Sequence, residues 1–245
     1  MAGPTLDRKL TAARSTRVEF ALATPADDPD IRRLPRENPM LGRIALTFER
    51  EPDYFADADL PQTEKQTIIA RERGRAVCVG NCSLRQRVVN GRACRVGYLG
   101  GLRLDARDAG RFDILRRGYE FFRELQADNP ADYYFTSIAA DNLPARKFLE
   151  RGLPGMPAYE FASEFLTLLL PVKQQAQTRK AREAETADSS EMLKFLEEQD
   201  RHHQFAECWT ARELVALSKL GLNAEQFRCE RVDGRIAAVA AVWDQ

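Results

Sequence analysis

The chain has few of the residues that build metal centres. It contains two histidines and five cysteines in 245 residues, and no two cysteines are spaced as C-x-x-C. An odd cysteine count without that spacing indicates neither a disulfide framework nor a zinc site. We therefore expect no metal cofactor, and the unpaired cysteines favour a reducing, cytoplasmic location.

The chain also lacks a net charge, because 37 basic residues balance 37 acidic ones. Binding to nucleic acid or to an anionic membrane surface usually needs a basic excess, so neither partner is expected. The strongest apolar run, 165–170, is too short to cross a bilayer and precedes Pro171. It predicts a buried strand, and 159–172 as a whole predicts one or two strands that close the sheet.

What remains is the composition of a globular protein, with 44% apolar and 30% charged residues. The length allows one large or two small domains. Hydrophobic periodicity and turn residues predict the first elements. In chain order these are a strand at 17–23, a helix at 30–36 capped by Asp28, a weaker helix at 51–60, and strands at 67–71 and 75–80 joined at Arg73-Gly74.

The most informative segment runs from Val96 to Arg151. It predicts a strand at 96–104, a loop at 105–111, a helix at 112–125, a strand at 133–138 and a helix led by Asn142. A loop that opens onto a helix points unpaired N–H groups outward, and the helix dipole favours an anion there. Gly110 allows close approach of the backbone, and Arg111 adds a positive charge that suits a phosphate.

This segment resembles the core of the GNAT superfamily, the GCN5-related N-acetyltransferases. The residues that carry the resemblance are Tyr98-Leu99-x-x-Leu102-x-Leu104, Gly110-Arg111, and Asn142-x-x-Ala145-Arg146-x-Phe148-Leu149-x-x-Gly152-Leu153. The resemblance covers roughly residues 17 to 172. It implies an α/β fold with a GNAT-like mixed, mostly antiparallel sheet flanked by helices, followed by a partial second unit of the same kind.

The resemblance also implies an activity, acyl-CoA-dependent N-acyltransfer, with acetyl-CoA as cosubstrate and an unidentified small-molecule or peptide amine as acceptor. A homodimer is compatible with it. The two leucines would offer strand backbone to the pantetheine arm, the loop would hold the phosphates, and the Asn-led helix would hold the rest of the coenzyme. The implied cofactor-binding residues are Leu102, Leu104, Gly110, Arg111, Asn142 and Arg146.

Several positions depart from the family pattern. Ala109, Phe112 and Ile114 stand where the pyrophosphate loop has Gln or Arg and then small residues, and Phe148 replaces a tyrosine that acts as general acid in many relatives. The central strand also lacks the usual glutamate, yet an amine needs a base before it can attack a thioester. We predict Tyr98 as the catalytic group, with Asp105, Tyr133 and Tyr159 as alternatives. The same departures support a second hypothesis, a non-catalytic scaffold or regulatory module.

A partial internal repeat organises the rest of the chain. The residues Gln66, Arg71, Gly74, Arg75 and Val79 recur 160 positions later (66 to 226, 79 to 239) as Gln226, Arg231, Gly234, Arg235 and Val239. We predict a GNAT-like domain at 17–172, a polar linker at 173–190 and the N-terminal part of a second GNAT-like domain at 191–245. Such a unit is incomplete, so the chain is expected to lack the rest of a tandem protein, or the half-domain packs on the first domain or on a partner.

Overall fold

The computed structural model describes residues 17–40, 49–56, 63–166, 181–183 and 189–242. Its strands are β1 (Glu19–Leu22), β2 (Glu64–Glu72), β3 (Arg75–Val89), β4 (Arg92–Leu104), β5 (Tyr133–Phe135), β6 (Ala181–Glu183), β7 (Ala206–Glu207), β8 (Phe227–Val232) and β9 (Arg235–Ala241). Its α-helices are α1 (Asp28–Glu37), α2 (Phe112–Leu125), α3 (Leu143–Leu149), α4 (Ser189–Asp200) and α5 (Ala211–Ser218).

The larger sheet has the strand order β1-β2-β3-β4-β5, with β7 added to β3. All neighbours are antiparallel except β4 and β5, which are parallel because α2 crosses between them. The hairpin turns Arg73-Gly74 and Asn90-Gly91 have positive φ at both positions, as tight two-residue turns require. The predicted fold class, a mixed and mostly antiparallel sheet flanked by helices, is confirmed.

Two apolar layers hold the helices against this sheet. On one face, Ile31 and Leu34 of α1 pack with Ile69, Ala76 and Val79 of the sheet. On the other face, Ile114 of α2 is fully buried in a cluster with Val18, Ala70, Val77 and Cys78. Burial of such side chains on both faces fixes the register of β2 and β3, since a shift by one residue would exchange their faces.

Residues 201–213 dock on the far half of β3. Strand β2 pairs with β3 only as far as Leu84, and β7 covers the same edge further on through the pair Val88–Ala206. The backbone N–H of Phe205 donates to the carbonyl of Val88 at 2.8 Å. Residues 201–213 therefore pack against the larger sheet, while the expected division of the chain into domains stays a prediction.

Arg85 and Arg87 of β3 supply the charged part of this contact. Arg85 pairs with Glu207 at 3.0 Å and with the buried Glu213 at 2.5 Å. Arg87 binds the same Glu207 at 3.0 Å and donates to the carbonyl of Phe205 at 2.8 Å. Burial raises the pKa of the Glu213 carboxyl, while Arg85 lowers it.

The second, smaller sheet repeats the layout of the first three strands. Its order is β6-β8-β9, and α4 precedes its hairpin as α1 precedes the hairpin of β2 and β3. Both hairpins have a register shift immediately before a matched arginine. The shift lies between Ala70 and Arg71 in one hairpin and between Glu230 and Arg231 in the other.

The matched arginines make matched contacts. Arg71 donates to the carbonyl of Gly74 at 3.0 Å, and Arg231 donates to that of Gly234 at 2.9 Å. Each arginine also binds carboxylates near the start of the preceding helix: Arg71 binds Asp27 and Asp30, and Arg231 binds Glu191. Four of the five sequence identities therefore fall on one hairpin geometry, whereas Gln66 lies in β2 and Gln226 ends a 3-10 turn before β8.

Several local predictions differ from the structure. The helix α1 begins at Asp28 because a 3-10 turn at Pro25–Asp27 leads into it, so its N-cap is Asp27 and not Asp28. Residues 51–56 form a bend and a turn rather than a helix, and the rest of that expected helix, 57–60, lies outside the described residues. Residues 159–166 form no strand, and 181–183, assigned to the linker by composition, form β6. The remainder of the expected closing strand, 167–172, lies outside the described residues.

In the described part of the chain, no helix has both the length and the apolar character needed to cross a bilayer.

Candidate functional site

The central feature of the site is a gap between β4 and β5. The two strands pair over only three positions, Val96–Tyr133, Gly97–Tyr134 and Tyr98–Phe135. Strand β5 then ends, whereas β4 continues to Leu104, and no other described strand joins β4 on this side. Past Tyr98, this edge of β4 therefore has backbone groups without a strand partner, and an extended ligand could pair with them.

A bulge in β4 shapes this open edge. The register between β3 and β4 shifts between Val79 and Asn81, so that β4 has one extra residue there. Gly101 takes a φ of +61°, and a Cβ at this position would lie 2.4 Å from the amide nitrogen of Asn81. A Cβ here would strain the backbone and would push the end of the Asn81 side chain aside. Leu102 follows the bulge and is 38% exposed, while Leu104 packs partly into the core beneath α2.

Tyr98 lies at the apex of the gap, where the two strands part. Its hydroxyl shares a hydrogen bond with the Ser137 hydroxyl at 2.6 Å. Its ring contacts Phe135, with centroids 5.0 Å apart, and Phe135 in turn contacts Phe205 of the C-terminal part at 4.9 Å. The Thr136 hydroxyl donates to the Leu99 carbonyl at 2.7 Å and ends the pairing of the strands. The apex thus holds a fixed polar group beside the open strand edge.

Arg111, predicted to bind phosphate, is surrounded by carboxylates. Its guanidinium lies 3.0 Å from Glu72, 3.1 Å from Asp113 and 3.5 Å from Asp108. Hydrogen bonds to Asp113 and Glu72 raise its pKa. Within the protein its charge is already compensated.

The backbone of the loop is bonded internally as well. Gly110 has a φ of +83° and open space where a Cβ would lie, as a close-approach position requires. Six N–H groups between Ala106 and Phe112, however, donate to protein acceptors. The donors are the N–H groups of Ala106, Arg107, Asp108, Ala109, Arg111 and Phe112.

Phe112 and Phe148 lie on the two helices that follow the diverging strands β4 and β5. Phe112 is the first residue of α2, which follows β4, and Phe148 lies near the end of α3, which follows β5. Their rings stack with centroids 5.0 Å apart and an interplanar angle of 14°. Phe112 nevertheless remains 52% exposed. The gap is therefore bounded by Tyr98 with Ser137 at its apex and by this aromatic pair at its mouth.

The two remaining predicted cofactor residues lie at the start of α3. Asn142 is its N-cap, and its side-chain oxygen accepts from the Ala145 N–H at 3.3 Å. Arg146 donates to the Ala140 carbonyl at 3.2 Å and lies 3.7 Å from Glu150. The fold thus places β4, its loop and α3 around one gap. Asn142 and Arg146 hold the loop that borders it.

The alternative proton-transfer groups are less suited to that role. Arg107, with help from Arg75, holds the pKa of Asp105 well below its usual range, which makes this carboxylate a weak base. Burial raises the pKa of Tyr159, whose hydroxyl lies 2.7 Å from that of Tyr119. Tyr133 is 48% exposed on β5. Tyr98 is the one of these four that borders the open edge of β4.

The two cysteines of β3 contribute no activated nucleophile to this gap. Cys78 and Cys82 are buried in β3, and burial raises the pKa of each thiol to about 12. Among the described residues, no group of three or more His, Cys, Asp or Glu side chains could hold a metal ion.

Sequence reasoning missed three contributors to the site. Ser137 was read only as part of a strand, and its contact with Tyr98 depends on a strand end that periodicity does not define. Phe205 belongs to a distant part of the chain, so no local sequence pattern predicts its contact with Phe135. Asn81 could have been suspected from the Gly100-Gly101 pair on the adjacent strand, since glycines in strands often mark close approach.

Comparisons with known proteins give fold-level likenesses only. No protein-family model and no curated protein sequence matches the chain. Similar solved structures include an acetyltransferase from Trypanosoma brucei (14% identity, TM-score 0.45, covering 63% of this chain and 100% of that one). Another is a ribosomal-protein-alanine N-acetyltransferase from Brucella melitensis (14% identity, TM-score 0.43, 62% and 99%). A third is AAC(6')-Iy in complex with a coenzyme A bisubstrate analogue (15% identity, TM-score 0.46, 62% and 99%). At TM-scores below 0.5, these likenesses define neither a substrate nor a mechanism for this chain.

Proposed function

We propose that the chain is an acyl-CoA-dependent N-acyltransferase that transfers an acyl group, expected to be acetyl, from acetyl-CoA to an amine. The observation that carries the proposal is the gap between β4 and β5, where no described strand pairs with β4 from Leu99 to Leu104. Two carbonyls in this stretch already accept hydrogen bonds from side chains, that of Leu99 from Thr136 and that of Leu102 from Arg103, so the remaining backbone groups are the ones a ligand would use. The pantetheine arm contains two amide groups and can pair with such an edge as an added strand would.

The reaction needs few protein groups once the thioester lies in the gap. The amine attacks the thioester carbonyl, and the resulting oxyanion is stabilised by a backbone N–H of β4. The tetrahedral intermediate then collapses and expels a thiolate. A thiol has an ordinary pKa of about 8.5, so it can leave without a strong general acid. This accounts for catalysis despite phenylalanine at position 148.

Tyr98 is the proposed catalytic residue because its hydroxyl lies at the apex of the gap. The hydrogen bond to Ser137 holds that hydroxyl in place and offers a route for a proton away from the attacking amine. Leu102 and Leu104 are proposed to contribute backbone contacts, and Gly110, Arg111, Asn142 and Arg146 are proposed to form the rest of the cofactor site. The acceptor is proposed to be a small-molecule or peptide amine, and a homodimer and a cytoplasmic location belong to the same proposal.

Calorimetric titration of the full chain with acetyl-CoA and with CoA tests the proposal. We expect saturable binding of both, with a stoichiometry of one per chain. Chromatographic detection of CoA released in the presence of a panel of amines then tests turnover. Absence of binding by both ligands would falsify the proposal.

The second candidate function is a non-catalytic module that scaffolds or regulates a partner domain. It is favoured by Phe148, which has no proton to donate, and by the internal bonding of the loop around Arg111. This candidate predicts that acetyl-CoA is not consumed at any amine concentration even if it binds. Turnover that is lost in Tyr98→Phe would exclude it.

We also infer that residues 189–242 belong to a second GNAT-like unit. Support comes from the shared strand order, the matched register shifts and the equivalent contacts of Arg71 and Arg231. If the hairpins are equivalent, Gly74→Ala and Gly234→Ala should lower the free energy of unfolding by equal amounts. A difference above about 1 kcal/mol would argue against a common geometry.

A further inference from the structure

The loop at the start of α2 offers little to a pyrophosphate. Recognition of phosphates at a helix N-terminus depends on free N–H groups and on cations that can approach the anion. Arg111 is instead held by Glu72, Asp108 and Asp113, and it faces more negative than positive groups. A phosphate that reached this guanidinium would lie beside three carboxylates, and like charges at such distances repel.

The guanidinium of Arg107 is likewise bound by a carboxylate of the protein. Arg107 binds Asp105 through two hydrogen bonds, at 3.0 Å from Nε and 2.7 Å from Nη2. Arg75 binds Asp105 at 3.0 Å and Asp108 at 2.7 Å from the other side. Releasing either arginine for a ligand would leave the nearly buried carboxylate of Asp105 with fewer cations, which is costly.

An apolar side chain covers the start of the helix. Phe112 occupies the first helical position, and its ring stacks on Phe148 across the mouth of the gap. A ligand that extends from the gap onto the N-terminus of α2 must displace this ring. It would then lose the stacking contact, which stabilises an aromatic pair beyond the burial of its area.

The inner part of the gap has the opposite character. The edge of β4 beyond Tyr98 has no described strand partner, and Leu102 beside it is partly exposed. An uncharged amide chain can use this edge without reaching Arg111 or the N-terminus of α2. The site therefore favours the pantetheine part of a coenzyme and disfavours its pyrophosphate.

From this contrast we propose that the donor site selects acyl-pantetheine thioesters through the arm alone. The Phe112–Phe148 pair sets this specificity by blocking the nucleotide. This inference rests on the proposed acyl transfer, and it replaces the phosphate contacts expected of Gly110 and Arg111. The donor class consists of pantetheine thioesters with or without an attached adenosine phosphate, which contributes little to affinity.

Titration calorimetry on the full chain with three donors tests this: acetyl-CoA, S-acetyl-4'-phosphopantetheine and S-acetyl-pantetheine. We expect dissociation constants within about three-fold of one another, which is under 1 kcal/mol. A site that recognised the nucleotide through two charge-assisted hydrogen bonds would instead bind acetyl-CoA about a hundred-fold more tightly. A preference for acetyl-CoA above about ten-fold overturns the proposal.

The variants Phe112→Ala and Phe148→Ala test the role of the aromatic pair. Each should tighten acetyl-CoA binding by about five-fold or more and leave S-acetyl-pantetheine binding unchanged. The control Val215→Ala removes an exposed apolar side chain of α5 and should behave as the wild type. The use of two alanine variants guards against misfolding of one, which circular dichroism would reveal.

Each pattern of results has its own meaning. If the wild type binds none of the three donors, the proposed acyl transfer fails and this inference with it. If the wild type binds acetyl-CoA far more tightly than the pantetheine thioesters, acyl transfer stands and the inference fails. If both alanine variants keep the wild-type ratio of affinities, the aromatic pair does not set the specificity.

Discussion

The ring of Phe112 lies against the ring of Phe148, with centroids 5.0 Å apart and planes inclined by 14°. The first residue begins α2 and the second lies near the end of α3, so the contact joins helices whose preceding strands have diverged. Both positions also depart from the family pattern. Since their side chains touch, the two departures from the GNAT pattern that the segment resembles form one structural feature.

This feature separates the gap into an inner and an outer part. The inner part has the open edge of β4 and the hydroxyls of Tyr98 and Ser137, which suit thioester chemistry. In the outer part, carboxylates bind Arg111, and the Phe112–Phe148 pair lies at the start of α2. Neither feature suits the binding of a pyrophosphate. In the proposed acyl transfer, the chemistry of the inner part would therefore not depend on recognition of a nucleotide in the outer part.

Replacing Tyr98 by phenylalanine tests the chemistry at the apex. Tyr98→Phe removes the hydroxyl but keeps the ring against Phe135, so donor binding should persist while kcat falls about a hundred-fold. Ser137→Ala should cause a smaller loss, because it removes only the partner of that hydroxyl. Steady-state rates of acetyl transfer measure both effects.

The control for this test is Tyr133→Phe. Tyr133 lies on the adjacent strand and is 48% exposed, so removal of its hydroxyl should leave kcat and KM unchanged. An unchanged rate in Tyr98→Phe would remove Tyr98 from the mechanism.

Two glycines of opposite surroundings provide a stability test. A Cβ at Gly101 would meet the Asn81 amide at 2.4 Å, whereas at Gly110 there is nothing within 4 Å, although both have positive φ. Gly110→Ala should cost about 1 kcal/mol from backbone strain alone. Gly101→Ala should cost about 2 kcal/mol, because the Asn81 amide must also turn away from its 3.4 Å hydrogen bond to the Tyr54 hydroxyl. Urea unfolding measures both, and equal losses would contradict the bulge geometry.

The sequence carries the architecture well where its signals are local. Glycine-containing turns locate the hairpins, and the apolar period with its flanking residues predicts α2 at its observed bounds. Asn142 is the cap of α3 as expected from the Asn-led run. These features depend on neighbours along the chain, so periodicity and turn chemistry are sufficient.

The site is less predictable because it depends on where strands stop pairing. Strand β5 was expected to reach Ile138 but ends at Phe135, and this early end opens the gap. One of the carboxylates that bind Arg111 belongs to Glu72 on the separate strand β2. Residue spacing in the sequence cannot reveal this contact. The expected helix at 51–60 forms turns over 51–56, where Pro52 and Asp53 are poor continuations of a helix.

Asp105 makes stability depend on pH. Arg107 and Arg75 lower its pKa in the folded protein, so the carboxylate stabilises the fold above the ordinary value of about 3.9. That contribution is lost as the pH falls below about 5 towards the folded pKa, because protonation breaks the contacts. Urea unfolding at pH 7 and at pH 3 should therefore show a weaker fold in acid.

The variant Asp105→Asn isolates this contribution. At pH 7 it should lower the free energy of unfolding by about 2 kcal/mol, since charge-assisted hydrogen bonds are lost. At pH 3 the difference in the free energy of unfolding should be smaller, because the carboxylate of the wild type then stabilises the fold less. The control Glu197→Gln alters an exposed pair with Arg201 and should leave the stability near that of the wild type. If the difference in the free energy of unfolding between Asp105→Asn and the wild type stayed constant with pH, another group would be responsible for the pH dependence of stability.

The contact between Arg85 and Glu213 tests how the C-terminal part is held. Glu213 is 3% exposed, and one of its carboxylate oxygens is buried without a hydrogen-bond partner. Arg85→Ala should cost about 3 kcal/mol, because it leaves this buried carboxylate without its cation. Residues 201–213 should then be cleaved faster by protease, since Arg85 also holds Glu207.

Two further variants separate this effect from a general loss of charge. The double variant Arg85→Met with Glu213→Leu should recover most of the lost stability, because it removes both charges and keeps apolar bulk at the interface. Arg201→Ala breaks a pair whose side chains are 63% and 68% exposed, and it should cost less than about 0.5 kcal/mol. If Arg85→Ala behaved like Arg201→Ala, the docking of the C-terminal part would rest on the β3–β7 pairing and on Phe205, and these contacts would be the next to alter.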